Sequence, residues 1–292
     1  MTKSICFHHN DPDGHASGAI VKYALGDKVS LVESDYDGTP IPWDLVEEAD
    51  QVIVTDFSFS VEQMKRLADG RELVWIDHHK SAMEEFEGIA DNWPGIRDLS
   101  EAACVLTWQY FFPEKPVPQA IVLIGDRDIW RWAEKDTGAF GSSLYNQDHL
   151  ASNAGFWKPL LEDDEPTLEK MIAEGAWLRE IRLREIDGMM EARSYEVEFE
   201  GYQTLVVNTR GTGDIGNYGR DREYEIVYTY SDKMQNDGLN TVVTLYSNKI
   251  DVSVIAKRYG GGGHAGASGF SFPRSATPFP PAAKVNWKTE QK

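Results

Sequence analysis

The sequence predicts an α/β fold: an N-terminal doubly wound parallel sheet, a helical connector, and a smaller C-terminal α/β domain with a glycine-rich substrate loop. Three observations carry the prediction. Short apolar runs of strand length alternate with helix-length segments up to about residue 150, the pattern of βα units and so of a parallel sheet. Several of those runs stop at an Asp or at a pair of His, where function gathers in such sheets. From Tyr195 the apolar period shortens to two, as in half-buried strands.

The first run, Ser4-Ile5-Cys6-Phe7, leads straight into His8-His9-Asn10-Asp11-Pro12-Asp13-Gly14. Pro12 and Gly14 mark a tight loop, and Ala16, Ile20, Tyr23 and Ala24 then fall at helical spacing. A capping role would account for Asp13 alone, but not for His9, Asp11 and Asp13 together. Val29 to Glu33 is a second strand. Gln51 to Thr55 is a third, ending at Asp56. Ser60 and Gln63 have the spacing of a capping box. Leu73 to Ile76 is the fourth strand, ending at Asp77-His78-His79. Side chains alternate along a strand, so both imidazoles serve one site only if the chain turns there. Glu101 to Phe112 and Gln119 to Gly125 read as buried helices. The second ends at Asp126, with Asp128 as an alternative carboxylate; Arg127 and Arg131 read as surface ion-pair partners.

Residues 151–166 are polar, acidic and dotted with aromatics, as at a boundary or an exposed excursion. Thr167 to Ala192 has an apolar stripe and reads as a long connecting helix. The expected organisation is therefore a first domain over 1–150, a connector over 151–193, a second domain over 194–275 and a disordered tail over 276–292. In the third segment, Tyr195 to Phe199, Thr204 to Val207, Ile226 to Tyr230 and Thr241 to Tyr246 have strand character. A short helix over Val252 to Tyr259 precedes Gly260-Gly261-Gly262-Gly263-His264, which runs on to Ser268-Gly269. Glycine lets backbone N–H groups approach an anion, and successive N–H groups form a nest. Structure flanks this run on both sides, so a phosphate- or nucleotide-binding loop is expected rather than a linker.

The chain has 292 residues and a formal net charge of −19. That balance repels long polyanions and argues against broad duplex binding, but not against a small phosphorylated substrate. Cys6 and Cys104 have no disulfide or metal spacing and read as buried apolar residues. No signal pattern or long apolar run is present, so a cytoplasmic protein without membrane partners is expected.

His9, Asp11, Asp13, Asp56, His78 and Asp126 together offer oxygen and nitrogen ligands and no thiolate. Such a set suits two hard-to-borderline divalent ions, Mn²⁺ or Mg²⁺, better than structural zinc. Asp56, alone at its strand end, is the best candidate to bridge them. The expected chemistry is attack of an activated water on phosphorus, with His79 contacting phosphoryl oxygens or assisting proton transfer.

These motifs resemble the DHH-family phosphoesterases with a DHH-associated C-terminal domain, and the resemblance spans the chain to about Phe272. It rests on His9-Asn10-Asp11-Pro12-Asp13-Gly14, Asp56, Asp77-His78-His79, Asp126, and Gly261-Gly262-Gly263-His264 with Ala267-Ser268-Gly269. It implies one Mn²⁺ on His9, Asp11 and Asp56, and a second on Asp13, Asp56, His78 and Asp126, with Mg²⁺ or Co²⁺ as substitutes. It further implies that Asp77 supports the catalytic His79 and that Gly261, Gly262, Gly263, His264 and Ser268 hold the nucleotide end of the substrate. Two departures stand out. Where many members place the first histidine, this chain has Phe7, so His8 and His9 both remain candidates. Where many place an arginine, it has Tyr246, so Arg258 or Lys249 is expected to take that part. The spacing is similar to the RecJ-like and NrnB-type oligoribonuclease branch. The implied function is Mn²⁺-dependent hydrolysis of phosphodiester bonds in short oligonucleotides, with a homodimer as a candidate assembly. The alternatives are a cyclic (di)nucleotide or 3′-phosphoadenosine phosphate phosphohydrolase, and, outside enzymes, a degenerate nucleotide-binding module.

Overall fold

Continuous apolar pentapeptides need burial on both faces, and the chain provides it. The computed structural model describes residues 3–36, 40–220, 222, 224–235 and 238–275; the tail expected over 276–292 lies outside the described residues. Strands β1 (Ser4–His9), β2 (Val29–Ser34), β3 (Gln51–Thr55) and β4 (Glu72–Ile76) alternate with helices α1 (Pro12–Leu25), α2 (Trp43–Glu47), α3 (Val61–Ala68) and α4 (Lys80–Glu85). The four strands form a parallel sheet in the order β2-β1-β3-β4. Odd and even positions feed two different cores. Ile5, Phe7, Val52, Val54, Leu73 and Trp75 pack on one side with Met64 and Leu67 of α3. Cys6, Ile53, Val74 and Ile76 pack on the other with Val21 of α1. The sheet is doubly wound, as the sequence predicts.

After β1 the chain builds β2 on one side of it and then β3 on the other. The carboxyl ends of β1 and β3 therefore flank the switch point, the crevice where ligands bind in open α/β sheets.

Five helices follow: α5 (Ala103–Phe111), α6 (Gln119–Asp128), α7 (Thr137–Leu144), α8 (Ala154–Leu161) and α9 (Glu165–Arg193). The chain divides into two compact units after Arg179, inside α9. The segment read as a boundary belongs to the first unit. Trp157, Leu160 and Leu161 of α8 and Met171 of α9 lie in the same core as Ile20 of α1 and Trp108 of α5. Pro159 and the polar flanks disguise α8 as a loop in the sequence. The helix forms because Asn153 caps it and its apolar residues are buried. No helix among the described residues is long and apolar enough to cross a membrane.

The second unit is a mixed sheet of β5 (Ser194–Phe199), β6 (Tyr202–Asn208), β7 (Ile226–Gln235), β8 (Gly238–Tyr246), β9 (Gly262–Gly263) and β10 (Ala267–Pro273), in the order β5-β6-β7-β8-β10-β9. Helices α10 (Gly213–Arg220) and α11 (Val252–Arg258) complete it. Among the described strands of this sheet, β6 and β7 pair in parallel and the other neighbours antiparallel. Strand β7 extends past the expected Tyr230 because its polar second half pairs with the start of β8 rather than covering a core.

Candidate active site

Strand β1 ends with His8 and His9 on opposite faces. His8 turns inward, is buried, and its Nδ1 lies 3.0 Å from the His9 carbonyl. Burial lowers its pKa to about 4. His9 faces the switch point, with Nδ1 3.0 Å from Asp11 Oδ2 and 3.8 Å from Asp56 Oδ2. Of the two candidates for the first ligand, His9 is the one at the cluster.

Asp11, not Asp13, caps α1: its carboxylate accepts from Gly14 N at 2.9 Å, with Pro12 in the first helical turn. A Cβ at Gly14 would lie 2.3 Å from the His9 carbonyl oxygen, so only glycine lets the loop close this tightly. Asp13 is freed from capping its own helix and is buried at the start of another. It accepts from Ala103 N at 2.9 Å and Cys104 N at 2.7 Å. Helix α5 has no side-chain cap of its own, so Asp13 answers its first amides and the positive end of its dipole.

Asp56 follows β3 with φ 55°, a left-handed conformation for a non-glycine residue, and its N–H donates to Ile76 O at 3.0 Å. Such backbone persists where the surroundings over-determine it, often at functional sites. At the end of β4 the chain turns, because Asp77 Oδ1 accepts from His78 N (2.7 Å), His79 N (3.1 Å) and His79 Nδ1 (2.8 Å). That turn aims both imidazoles toward Asp56, with nitrogens 3.2 Å and 3.9 Å from Asp56 Oδ1. His78 Nε2 also lies 3.4 Å from Asp13 Oδ2 and 3.4 Å from Asp128 Oδ2.

The structure brings His9, Asp11, Asp13, Asp56, Asp77, His78 and His79 together and leaves Asp126 out. Helix α6 continues through Asp128, and two residues on a helix are about 200° apart. Asp126 thus faces the following loop, where its carboxylate accepts from Ala133 N (2.8 Å), Glu134 N (3.2 Å) and Thr137 Oγ1. Asp128 takes the expected place in the cluster. The sequence reading ended the helix at Gly125, which put Asp126 at its mouth. The usable signal was the inward stripe Ile121, Ile124 and Asp128, at i, i+3 and i+7. Asp35 also approaches the cluster, with Oδ1 3.7 Å from His9 Nε2, and was not foreseen.

The electrostatics are those of carboxylates crowded together. Burial and the charges of Asp13, Asp11, Asp128 and Asp77 push the Asp56 pKa well above the usual carboxylate range. Burial, then Asp13 and Asp11, do the same to Asp128. Burial acts to raise Asp11, but its bond to His9 outweighs this and holds it low. Burial acts to lower His79, but Asp77 outweighs it and raises the imidazole above its ordinary value.

Ligand atoms of His9, Asp11 and Asp56 lie within 4.8 Å of one another, as do those of Asp13, Asp56 and His78. Asp56 Oδ2 and Asp128 Oδ2 are buried with no hydrogen-bond donor in bonding geometry. Buried carboxylates need protons, donors or cations. Cys104 offers no competing thiolate, because burial and Asp13 keep it a thiol. Divalent ions fit these residues, with Asp56 common to both groups.

In the second unit the glycine-rich run is a tight hairpin. Gly262 and Gly263 pair with Gly269 and Ser268. His264 N donates to Ala267 O at 2.9 Å, Gly261 N to Ala256 O at 2.9 Å, and Ser268 Oγ to His264 O at 2.6 Å. The Gly261 and His264 amides are thus engaged with carbonyls inside the hairpin. A Cβ at Gly261 would lie 2.0 Å from Gly269 O, so packing against β10 demands glycine there. A hollow of about 560 Å³ lies along the hairpin, lined by Gly261, Gly262, Gly263, Ser268, Tyr246 and Thr244 among others. Arg258 is turned to Glu200, Nη1 to Oε2 2.7 Å.

Fold and site define a class. The chain has the fold of DHH-domain proteins, with the parallel sheet and the carboxylate–imidazole cluster at its switch point. It superposes on the DHH domain of a member of the s1p family of ribosomal proteins with a TM-score of 0.60, at 14% identity, covering 93% of this chain and 83% of that one. In sequence it is similar to oligoribonuclease NrnB of Bacillus subtilis (strain 168), 25% identical over 91% of this chain and 72% of that protein. It is also similar to an uncharacterised protein of Acanthamoeba polyphaga mimivirus, 29% identical over 76% of this chain. The chain spans about half, 53%, of the mimivirus protein's length. No family model matches the sequence.

Proposed function

We propose that the protein is a metal-dependent phosphodiesterase that hydrolyses short oligonucleotides. The observation that carries this reading is Asp56: one left-handed carboxylate common to two ligand groups, His9–Asp11–Asp56 and Asp13–Asp56–His78. Asp128 completes the second group from α6. The similarity to an oligoribonuclease supports the substrate class.

Divalent ions held there, Mn²⁺ above all, would supply an acidified water and charge stabilisation at phosphorus. The protein's own residues do the rest. Asp13 is fixed by two α5 amides and Asp11 by Gly14 N, so neither ligand must reorganise on binding. Asp77 holds His79 through Nδ1 and favours its protonated form, which suits it as a donor to a phosphoryl or leaving oxygen. The net charge of −19 disfavours long polyanions and favours substrates a few nucleotides long. In the second unit the Gly261–Gly263 hairpin, His264, Ser268 and the hollow beside them are the proposed seat for the nucleotide part; Arg258 would first have to leave Glu200.

The test is a time course on a labelled five-nucleotide RNA, with cyclic di-AMP in parallel, in Mn²⁺ and in chelator. Mn²⁺-dependent stepwise release of mononucleotides from the RNA is expected. Inertness of the metal-loaded protein, or faster opening of the cyclic substrate, would overturn the assignment.

A further inference from the structure

An aromatic shelf in the first unit runs from the core to solvent beside the carboxylate cluster. Phe57 directly follows Asp56 and is 2% exposed. Its ring stacks on His9, with centroids 6.0 Å apart and planes at 22°. Phe59 meets Phe57 edge-on at 4.9 Å and Phe7 at 5.2 Å, anchoring the shelf in the core. Tyr36 is its outer end. Its ring lies 4.5 Å from Phe57 and 5.8 Å from His9, and its phenol interacts with Ser58. Yet Tyr36 is 61% exposed. One side of the ring is therefore packed against the shelf in a residue that is mostly open to solvent.

A tyrosine held this way has lost its rotamer freedom before any ligand arrives, so ordering it on binding adds little further penalty. Nucleobases stack on such faces without regard to identity. Its acidic neighbours are Asp35, adjacent in the chain and acceptor of the Tyr36 N–H at 2.7 Å, and Asp77 and Asp56, whose charges disfavour a further anion at the phenol. An anionic group has no reason to settle on this ring, whereas a neutral, flat base does. His9 links the two features, since it touches both the ligand cluster and the shelf.

We propose that Tyr36 is the stacking platform for the nucleobase next to the scissile phosphate, making it a specificity-determining residue that favours nucleotidic over base-free phosphoesters. The proposal rests on the phosphodiesterase reading and adds a base subsite within the first unit, apart from the glycine-rich hairpin.

The experiment is equilibrium binding of adenosine 5′-monophosphate and of ribose 5-phosphate to the Mn²⁺-loaded protein, wild type and variants. Aromatic stacking makes a preference for the nucleotide of roughly 5- to 150-fold. Tyr36→Ala and Tyr36→Leu should abolish most of that preference, and Tyr36→Trp should keep it. Mn²⁺ affinity, read by titration, should stay within a few-fold of wild type in all three. A nucleotide preference that survives Tyr36→Ala places the base elsewhere and overturns the proposal. So does a wild type with no preference, or a Tyr36→Leu variant whose Mn²⁺ affinity falls in parallel, which would make Tyr36 a prop for His9. Turnover separates the two readings: a Tyr36-dependent preference in a protein that cleaves no phosphodiester leaves the platform standing and removes the hydrolase.

Discussion

Asp126 and Asp128 stand two residues apart on α6, and their replacement should have opposite effects. Asp126 accepts three hydrogen bonds from the 133–137 segment. In Asp126→Asn the amide can present only one oxygen to donors that now meet two. In the better orientation one bond is lost and the others lose their ionic character. A hydrogen bond to a charged group contributes about 1.5–3 kcal/mol. At roughly 2–4 °C per kcal/mol for a chain of this class, the melting temperature should fall by about 3–12 °C. Mn²⁺ affinity should change by less than the 10- to 100-fold typical of supporting residues. In Asp128→Asn the signs reverse. Burial, Asp13 and Asp11 disfavour the Asp128 charge, so removing it should leave the metal-free protein as stable or more stable. Mn²⁺ should then be held more than roughly 100-fold more weakly at one of two sites, beyond the range of a supporting residue. The assay is thermal unfolding in chelator, paired with Mn²⁺ titration calorimetry. An Asp126→Asn protein that loses one Mn²⁺ at unchanged melting temperature, beside an Asp128→Asn protein that titrates like wild type, would refute the reasoning.

Further expectations rest on the same geometry. Asp56→Asn should raise the melting temperature of the metal-free protein, because it removes a buried charge facing four other carboxylates and because Asn tolerates the left-handed backbone; unfolding in chelator checks this, and a lower melting temperature contradicts it. Gly14→Ala should destabilise the β1–α1 loop and weaken Mn²⁺ binding together, since its Cβ would lie 2.3 Å from His9 O; normal Mn²⁺ affinity in a folded variant would be the wrong outcome. Metal-free stability should fall as pH rises above the unfolded carboxylate value of about 4, toward the raised folded values of Asp56 and Asp128, because in that window the folded state binds more protons. Asp11 is shifted downward, so its contribution has the opposite sign and is lost only as pH drops below that window. Mn²⁺ binding should therefore release protons, measurable by calorimetry in buffers of different ionisation enthalpy; no buffer dependence would contradict the assignment.

Much of this site could be read from the chain because strand ends are local. Alternation along β1 puts His9 on the face of Ile5 and Phe7. The turn at Asp77 is made by neighbours in sequence. What could not be read depends on partners far along the chain. Nothing near Asp13 announces that it answers the amides of Ala103 and Cys104, some ninety residues on, and with that partner hidden, the alternative of a cap fell on Asp13 rather than on Asp11, which provides it. Asp126 was preferred to Asp128 because Gly125 looked like a helix end, whereas a glycine within a helix disfavours it by only about 1 kcal/mol, which burial of Ile121, Leu123 and Ile124 outweighs. Helix α8 was hidden by Pro159, although Trp157, Leu160 and Leu161 at i, i+3 and i+4 were its buried face.

The account turns on Asp56 being shared. The measurement that tests this most directly is the Mn²⁺ stoichiometry of wild type and Asp56→Ala by titration, with electron paramagnetic resonance of the loaded protein. Two tight ions with a spin-coupled spectrum in wild type, and loss of tight binding at both sites in Asp56→Ala, are predicted. A single isolated Mn²⁺ in wild type, or two ions retained without Asp56, would contradict it.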